Sequence, residues 1–177
     1  LLSNWTVMNN YLFTFFIFSF FIFSISKSQC VSGDCEMGFG IMKYENGVVY
    51  IGEWWNGEMN GEGTMIWSDG SVYTGNFKHG LYHGSGTYLS MSETEDLTLY
   101  VGDFFEEVPD GFGTKVFKNG NVYVGDFKEG RMSGFGILKY GFNNPELKNV
   151  IKEGQWHNDK SLGQVLFKKN GYIFKGN

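Results

Sequence analysis

Few residues of this chain have the types and spacing that chemistry requires. Cys30 and Cys35 stand in a C-x4-C spacing. A structural zinc site takes four ligands and the chain has no second pair, so metal binding is set aside. The two thiols read either as a small disulfide loop in an exported product or as free thiols in a lead segment. The three histidines are His79, His83 and His157. The first two fall in one turn with no nucleophile or matching carboxylate set around them, so they read as exposed turn residues. Glycine pairs such as Gly61 and Gly63 look superficially like a phosphate-cradling loop. They lack the lysine and the helix such a loop needs, and they recur along the chain, so hairpin geometry accounts for them better. Glu53, Asn76, Asp103, Asp126 and Gln155 form a recurring polar column, with Lys78 and Lys128 two residues further on. That column reads as a solvated strand face with cross-strand pairs. Glu93, Glu95 and Asp96 make a short acidic run, either a solvated loop or a handle for a particular partner. No catalytic, cofactor or metal site emerges.

The composition says what must hold these residues. Of 177 residues 26 are glycine, about double the ~7% of average usage. Aromatic residues make up 19%, proline occurs twice, and alanine is absent. Without the best helix former a helical bundle is nearly excluded, and glycine with aromatics points to strands and tight turns. Glycine has no three-residue period, which excludes collagen, and the aromatic content argues against disorder. The net charge is −5 and Arg131 is the only arginine. No basic patch exists to grip nucleic acid or, by charge alone, an anionic membrane.

Residues 1–28 form a separate object, read as a signal peptide or membrane anchor. No charged side chain occurs before Lys27, and Leu12 to Ile25 is an apolar run of 14 residues. A spanning helix needs about 20. Fourteen suits the core of a secretory signal, and Ser26 and Ser28 offer small residues for cleavage. The competing readings are an uncleaved anchor, for which Lys27 favours a cytoplasmic C-terminal side, and a translated non-coding stretch. The expected location is the secretory pathway or a membrane. Residues 29–37 form a cysteine-containing lead.

From residue 38 the chain repeats. Tyr50, Tyr73, Tyr100 and Tyr123 share a column. Two residues on stand Gly52, Gly75, Gly102 and Gly125, and two further Trp54, Phe77, Phe104 and Phe127. Glycine pairs follow: Gly61 and Gly63, Gly84 and Gly86, Gly111 and Gly113, Gly134 and Gly136. A looser fifth unit near 152 carries Lys152, Gly154 and Trp156, and Phe174 with Gly176 opens another. Inserts interrupt the period near Ser90 to Leu99 and Gly141 to Ile151. Tyr50, Gly52 and Trp54 alternate, so they share one strand face, while Ile51 and Glu53 take the other. Asn46-Gly47, Asp69-Gly70, Asn119-Gly120 and Asn170-Gly171 predict turns between units, and Asn56-Gly57, His79-Gly80 and Glu129-Gly130 predict turns within them. Each unit is then a hairpin stacked on the next. The expected fold is all-β: an elongated, single-layer antiparallel meander. Trp67, Phe117, Tyr140 and Tyr44 add a column on the second strands.

The unit from Tyr50 through Gly52, Glu53, Trp54 and Gly57 to Gly61 and Gly63 resembles the MORN repeat (membrane occupation and recognition nexus). The resemblance covers residues 33–177. Departures are Glu107 and Asp159 where a turn glycine is expected, Val165 for the second glycine of the pair, and Lys152 for the leading tyrosine. The resemblance implies a twisted sheet of hairpins acting in protein interaction, self-association or membrane association. Such arrays also occur as accessory segments of phosphatidylinositol phosphate kinases and histone-lysine methyltransferases. The first residue is not Met and a half unit stands at Asn177, so the alternative function is that of an accessory segment of a larger enzyme. The leading function is a non-catalytic scaffold binding an unidentified protein partner, with attachment to a membrane through the N-terminal segment. The expected binding face is the aromatic column Tyr50, Trp54, Tyr73, Phe77, Tyr100, Phe104, Tyr123, Phe127 and Trp156, whose interposed glycines leave room for an incoming chain.

If residues 1–28 are a signal, N-terminal sequencing of the expressed product should find a mature chain beginning near Ser26 or Ser28. A chain still beginning at Leu1 or Met8 and soluble in the cytosol excludes both the signal and the anchor.

Overall fold

The computed structural model describes residues 28–143 and 145–176. The apolar run 12–25 and its expected cleavage or anchoring lie outside the described residues. Thirteen strands form one antiparallel sheet: β1 (Gln29–Gly33), β2 (Met37–Lys43), β3 (Val49–Trp55), β4 (Glu58–Ile66), β5 (Val72–Lys78), β6 (Leu81–Leu89), β7 (Leu97–Phe105), β8 (Val108–Phe117), β9 (Val122–Lys128), β10 (Arg131–Lys139), β11 (Ile151–His157), β12 (Lys160–Lys169) and β13 (Tyr172–Gly176). Each strand pairs only with its neighbours in sequence, and the described residues include no helix. The all-β single-sheet meander is therefore the fold. The cysteine-containing lead is part of the sheet, since β1 pairs with β2.

Register is set by glycine. Gly40, Gly52, Gly63, Gly75, Gly86, Gly102, Gly113, Gly125, Gly136 and Gly154 are successive cross-strand partners, a row of bare backbone from β2 to β11. The leading tyrosine of each unit lies over this row. A Cβ built on Gly86 would stand 2.5 Å from the Tyr73 hydroxyl oxygen and 2.6 Å from its ring. Gly63, Gly113 and Gly136 lie in the same way under Tyr50, Tyr100 and Tyr123. Having crossed the row, each hydroxyl donates to the backbone carbonyl three residues on: Glu53 at 3.0 Å, Asn76 at 2.9 Å, Asp103 at 3.0 Å and Asp126 at 3.2 Å.

The first glycine of each pair serves a bulge. Opposite Asn76 of β5 the partner strand runs through three residues, His83, Gly84 and Ser85, between the pairs Gly75–Gly86 and Phe77–Tyr82. Gly84 takes φ +67°, a conformation that glycine adopts without a steric penalty. The polar column fastens these bulges and is not only a solvated face. Asp103 accepts from the Phe112 amide at 3.3 Å, Asp126 from the Phe135 amide at 3.1 Å, and the Asn76 amide donates to the Ser85 carbonyl at 3.1 Å.

Turns within units have positive φ at both central residues, as in Asn56-Gly57 and His79-Gly80. Glu106-Glu107 and Asn158-Asp159 adopt the same turn without glycine, with φ of 47° and 70°, and 47° and 65°. The expected turn glycines are thus absent from the sequence while the turn is kept. Turns between units are longer: Trp67 and Ser71 close one by a 2.9 Å backbone bond, and the Asp69 carboxylate accepts from the Ser71 amide at 2.9 Å.

Gly86→Ala is expected to destabilise the chain by about 1–3 kcal/mol, because the methyl overlaps the Tyr73 ring. In a Tyr73→Leu background the same change should be milder. Thermal melts of the four proteins measure the coupling, and additive losses would refute the ring-on-glycine contact.

Candidate functional site

The face carrying Tyr50, Gly52 and Trp54 holds an unbroken series of rings. Trp54, Tyr50, Phe77, Tyr73, Phe104, Tyr100, Phe127, Tyr123 and Trp156 touch in that order, edge to face, with centroids 4.9–5.4 Å apart and planes at 80–89°. Perpendicular packing sets the positive rim of one ring on the negative face of the next. The Trp54 and Trp156 indole N–H groups donate to the Gly40 and Gly136 carbonyls at 3.3 Å and 3.1 Å. In the fifth unit Lys152 occupies the tyrosine row, and its ammonium lies 5.5 Å from the Trp156 ring and 5.6 Å from that of Phe167.

These nine rings, expected to line an open binding face, are the core instead. The four tyrosines are 0% exposed and Trp54, Phe77, Phe104, Phe127 and Trp156 are 3–5% exposed. The space left by the glycines is filled by the protein's own tyrosines, so an incoming chain has no room there. Side chains from the second strands cover the column further, most directly Tyr82, which stacks on Tyr73 at 4.0 Å.

An accessible concavity on this face lies beside the column. It is a groove of about 520 Å³ between Trp67, Tyr82, Tyr88, Leu97 and Pro109, reaching Tyr100 and Phe104 of the column itself, with Glu95, Asp96, Glu107 and Lys115 along it. Tyr82 and Tyr88 both come from β6. Trp67 stands at the end of β4, with its ring perpendicular to both at 6.1 Å and 5.8 Å. The first insert supplies the acids and is held in place. The Met91 amide donates to the Ser71 hydroxyl at 3.0 Å, the Ser90 hydroxyl to Glu95 at 2.6 Å, and the Lys118 amide to the Asp96 carbonyl at 3.1 Å. Ser71 and Ser90 are buried. Glu107 reaches the groove from the β7–β8 turn. Burial, then the Glu107 charge, pushes the Tyr82 phenol well above its ordinary pKa; burial, then the Glu95 charge, raises that of Tyr88.

Sequence reading found Trp67 and the acidic run but missed Tyr82, Tyr88 and Glu107. The cross-strand partners of Trp54, Phe77, Phe104, Phe127 and Trp156 are Met59, Tyr82, Pro109, Met132 and Ser161, a position with no period to reveal it. Aromaticity of Tyr82 at this variable position was the available signal. On the opposite face, read from sequence as polar, Phe39, Phe112 and Phe135 are exposed beside the column of bulge-fastening side chains.

The remaining candidates stay apart. A disulfide joins Cys30 to Cys35 beside β2, and Cys35 packs into the core cluster. His79 lies 3.0 Å from Glu58, both exposed, and His83 packs near Phe105. Among the described residues no group of three or more His, Cys, Asp or Glu is placed to hold a metal.

A sheet of stacked hairpins with this ring-on-glycine repeat is a β-repeat protein. A family model described as MORN repeat matches residues 50–72, 73–92, 100–122, 123–141 and 153–164, together more than half of the chain. The chain belongs to the MORN repeat family, whose members are generally protein- or membrane-interaction modules and typically non-catalytic. None of the curated proteins matches it.

Burial raises the Tyr73 pKa to about 12 and moves Tyr50, Tyr100 and Tyr123 further in the same direction. An unfolded tyrosine ionises near pH 10. The unfolded chain therefore loses these protons first, and their contribution is fully present below about pH 10 and is lost as pH rises through the folded values. Phenolate absorbance from the core tyrosines should appear only together with loss of the β-sheet circular dichroism signal. Full ionisation near pH 10 with the sheet intact would contradict their burial.

Proposed function

We propose that the chain is a non-catalytic interaction scaffold that docks a protein segment in the groove beside the aromatic column. The observation carrying this reading is the groove itself: on a face otherwise filled by its own rings, Trp67, Tyr82, Tyr88 and Leu97 leave an apolar channel with a polar margin. Aromatic anchors in a partly desolvated channel are where interface energy concentrates. The repeat supplies a rigid platform, since the rings and turns that shape the channel are fixed by neighbouring units.

Membrane attachment, on this reading, belongs to the apolar run 12–25 and not to the array. A net charge of −5 supports that division, because anionic lipid attracts basic surfaces.

A photo-reactive residue placed at position 82 or 88 of the full chain should cross-link partner protein in cell extract, and one at Thr74 on the opposite face should give far less. Deleting residues 12–25 should remove membrane recovery and spare the cross-links. Equal labelling from both faces would overturn the groove as the docking site.

A further inference from the structure

The margin of the groove carries more than its apolar floor requires. Glu95, Asp96 and Glu107 face it against a single lysine, Lys115, whose ammonium lies over the Phe117 ring at 4.9 Å. Among the described residues none of these three carboxylates has a cation within ion-pair distance. Lys118, the other lysine at the insert, donates instead to the Ser92 carbonyl. The acids sit at two ends. Glu95 is 3.5 Å from the Tyr88 hydroxyl, and the Glu107 amide donates to the Tyr82 carbonyl at 3.1 Å. Tyr82 and Tyr88 are six residues apart on β6, roughly 15–20 Å along the backbone at ~3.3 Å per residue less the contraction of the bulge, and their rings converge on Trp67 at 6.1 Å and 5.8 Å.

We propose that the occupant is an extended basic segment of a protein partner, with two cationic side chains about four to six residues apart and an apolar side chain between them. This rests on the interaction reading given above and specifies its chemistry. The apolar side chain sits among Trp67, Tyr82 and Tyr88. One cation meets Glu95 and Asp96, and the other meets Glu107. Aromatic faces also attract cations, and the array already uses that attraction where the Lys152 ammonium packs on Trp156 and Phe167. Pairing across the groove supplies the counter-charge that the three carboxylates lack within the described chain.

The test uses the purified full chain and three blocked peptides: acetyl-Ser-Lys-Ser-Leu-Ser-Leu-Ser-Lys-Ser-amide, the same with Glu for Lys, and the same with Ser for Leu. Titration calorimetry should detect the first peptide. The other two should bind at least tenfold more weakly, and the affinity of the first should fall at least threefold between 50 and 300 mM salt. Glu95→Gln combined with Glu107→Gln should weaken it at least tenfold. Lys115→Gln, which removes the opposing charge and leaves the acids intact, should tighten it, and this arm stands if the double variant fails to fold. Equal binding of the Glu peptide, or no effect of Lys115→Gln, overturns the proposal. If no peptide binds while cross-links still map to positions 82 and 88, the basic partner is refuted and the docking groove survives. Cross-links equal on both faces refute both.

Discussion

Each leading tyrosine rests its ring on the bare backbone of a glycine in the next strand, and the rest of the architecture follows from that contact. The ring can lie flat over the sheet only where no Cβ stands, which requires Gly63, Gly86, Gly113 and Gly136 beneath it. Once flat, its hydroxyl reaches a backbone carbonyl on its own strand, and its edge and face meet the Trp or Phe of its own unit and the next. One contact thereby fixes the register of the strand pair, the position of the next ring and the closure of the core. An edge-to-face pair contributes ~0.5–1.5 kcal/mol beyond area burial. Eight such contacts in series give a single-layer sheet a continuous interior without a second layer to pack on.

The polar column is the counterpart of that interior. Asp103 and Asp126 accept from amides that the bulge leaves unpaired, so the side of the sheet facing solvent has a structural duty at these points. Local preference yields to the array in the turns. Glu106, Glu107, Asn158 and Asp159 hold left-handed backbone at ~1–2 kcal/mol per residue because the flanking strands demand the same two-residue turn as in the other units. Asp159 offsets part of this by accepting from the Met132 amide at 2.9 Å.

Much of the fold was legible because the period is written in residue types with little choice. A Tyr-x-Gly-x-Trp/Phe run, a glycine pair eleven and thirteen residues on, and no alanine leave few structures other than stacked hairpins. The ten-membered glycine row was half visible: the columns could be read in sequence, but their alignment across strands depends on the bulges, which no single strand displays. The site was less legible. Gly52 and its equivalents suggested space for a ligand, yet space beside a glycine can be filled by the chain itself, and Tyr50 to Tyr123 fill it. The groove depends on Tyr82, Tyr88 and the insert from Ser90 to Leu99, features of one unit that period analysis discards as noise.

Strictly sequential pairing of the thirteen strands has a mechanical consequence. The sheet extends roughly 55–60 Å across its strands at ~4.8 Å each, with the chain entering at one edge and leaving at the other. Tension applied between those ends loads the hairpins in series, since among the described residues each strand pairs only with its neighbours in sequence. The two edges differ in resistance. At the entering edge a disulfide ties Cys30 to Cys35 against the core. At the leaving edge the tyrosine row has given way to Lys152, and Tyr172 and Phe174 of β13 are exposed. Among the described residues the β1 edge thus carries a covalent tie, and the β13 edge is held by strand pairing alone.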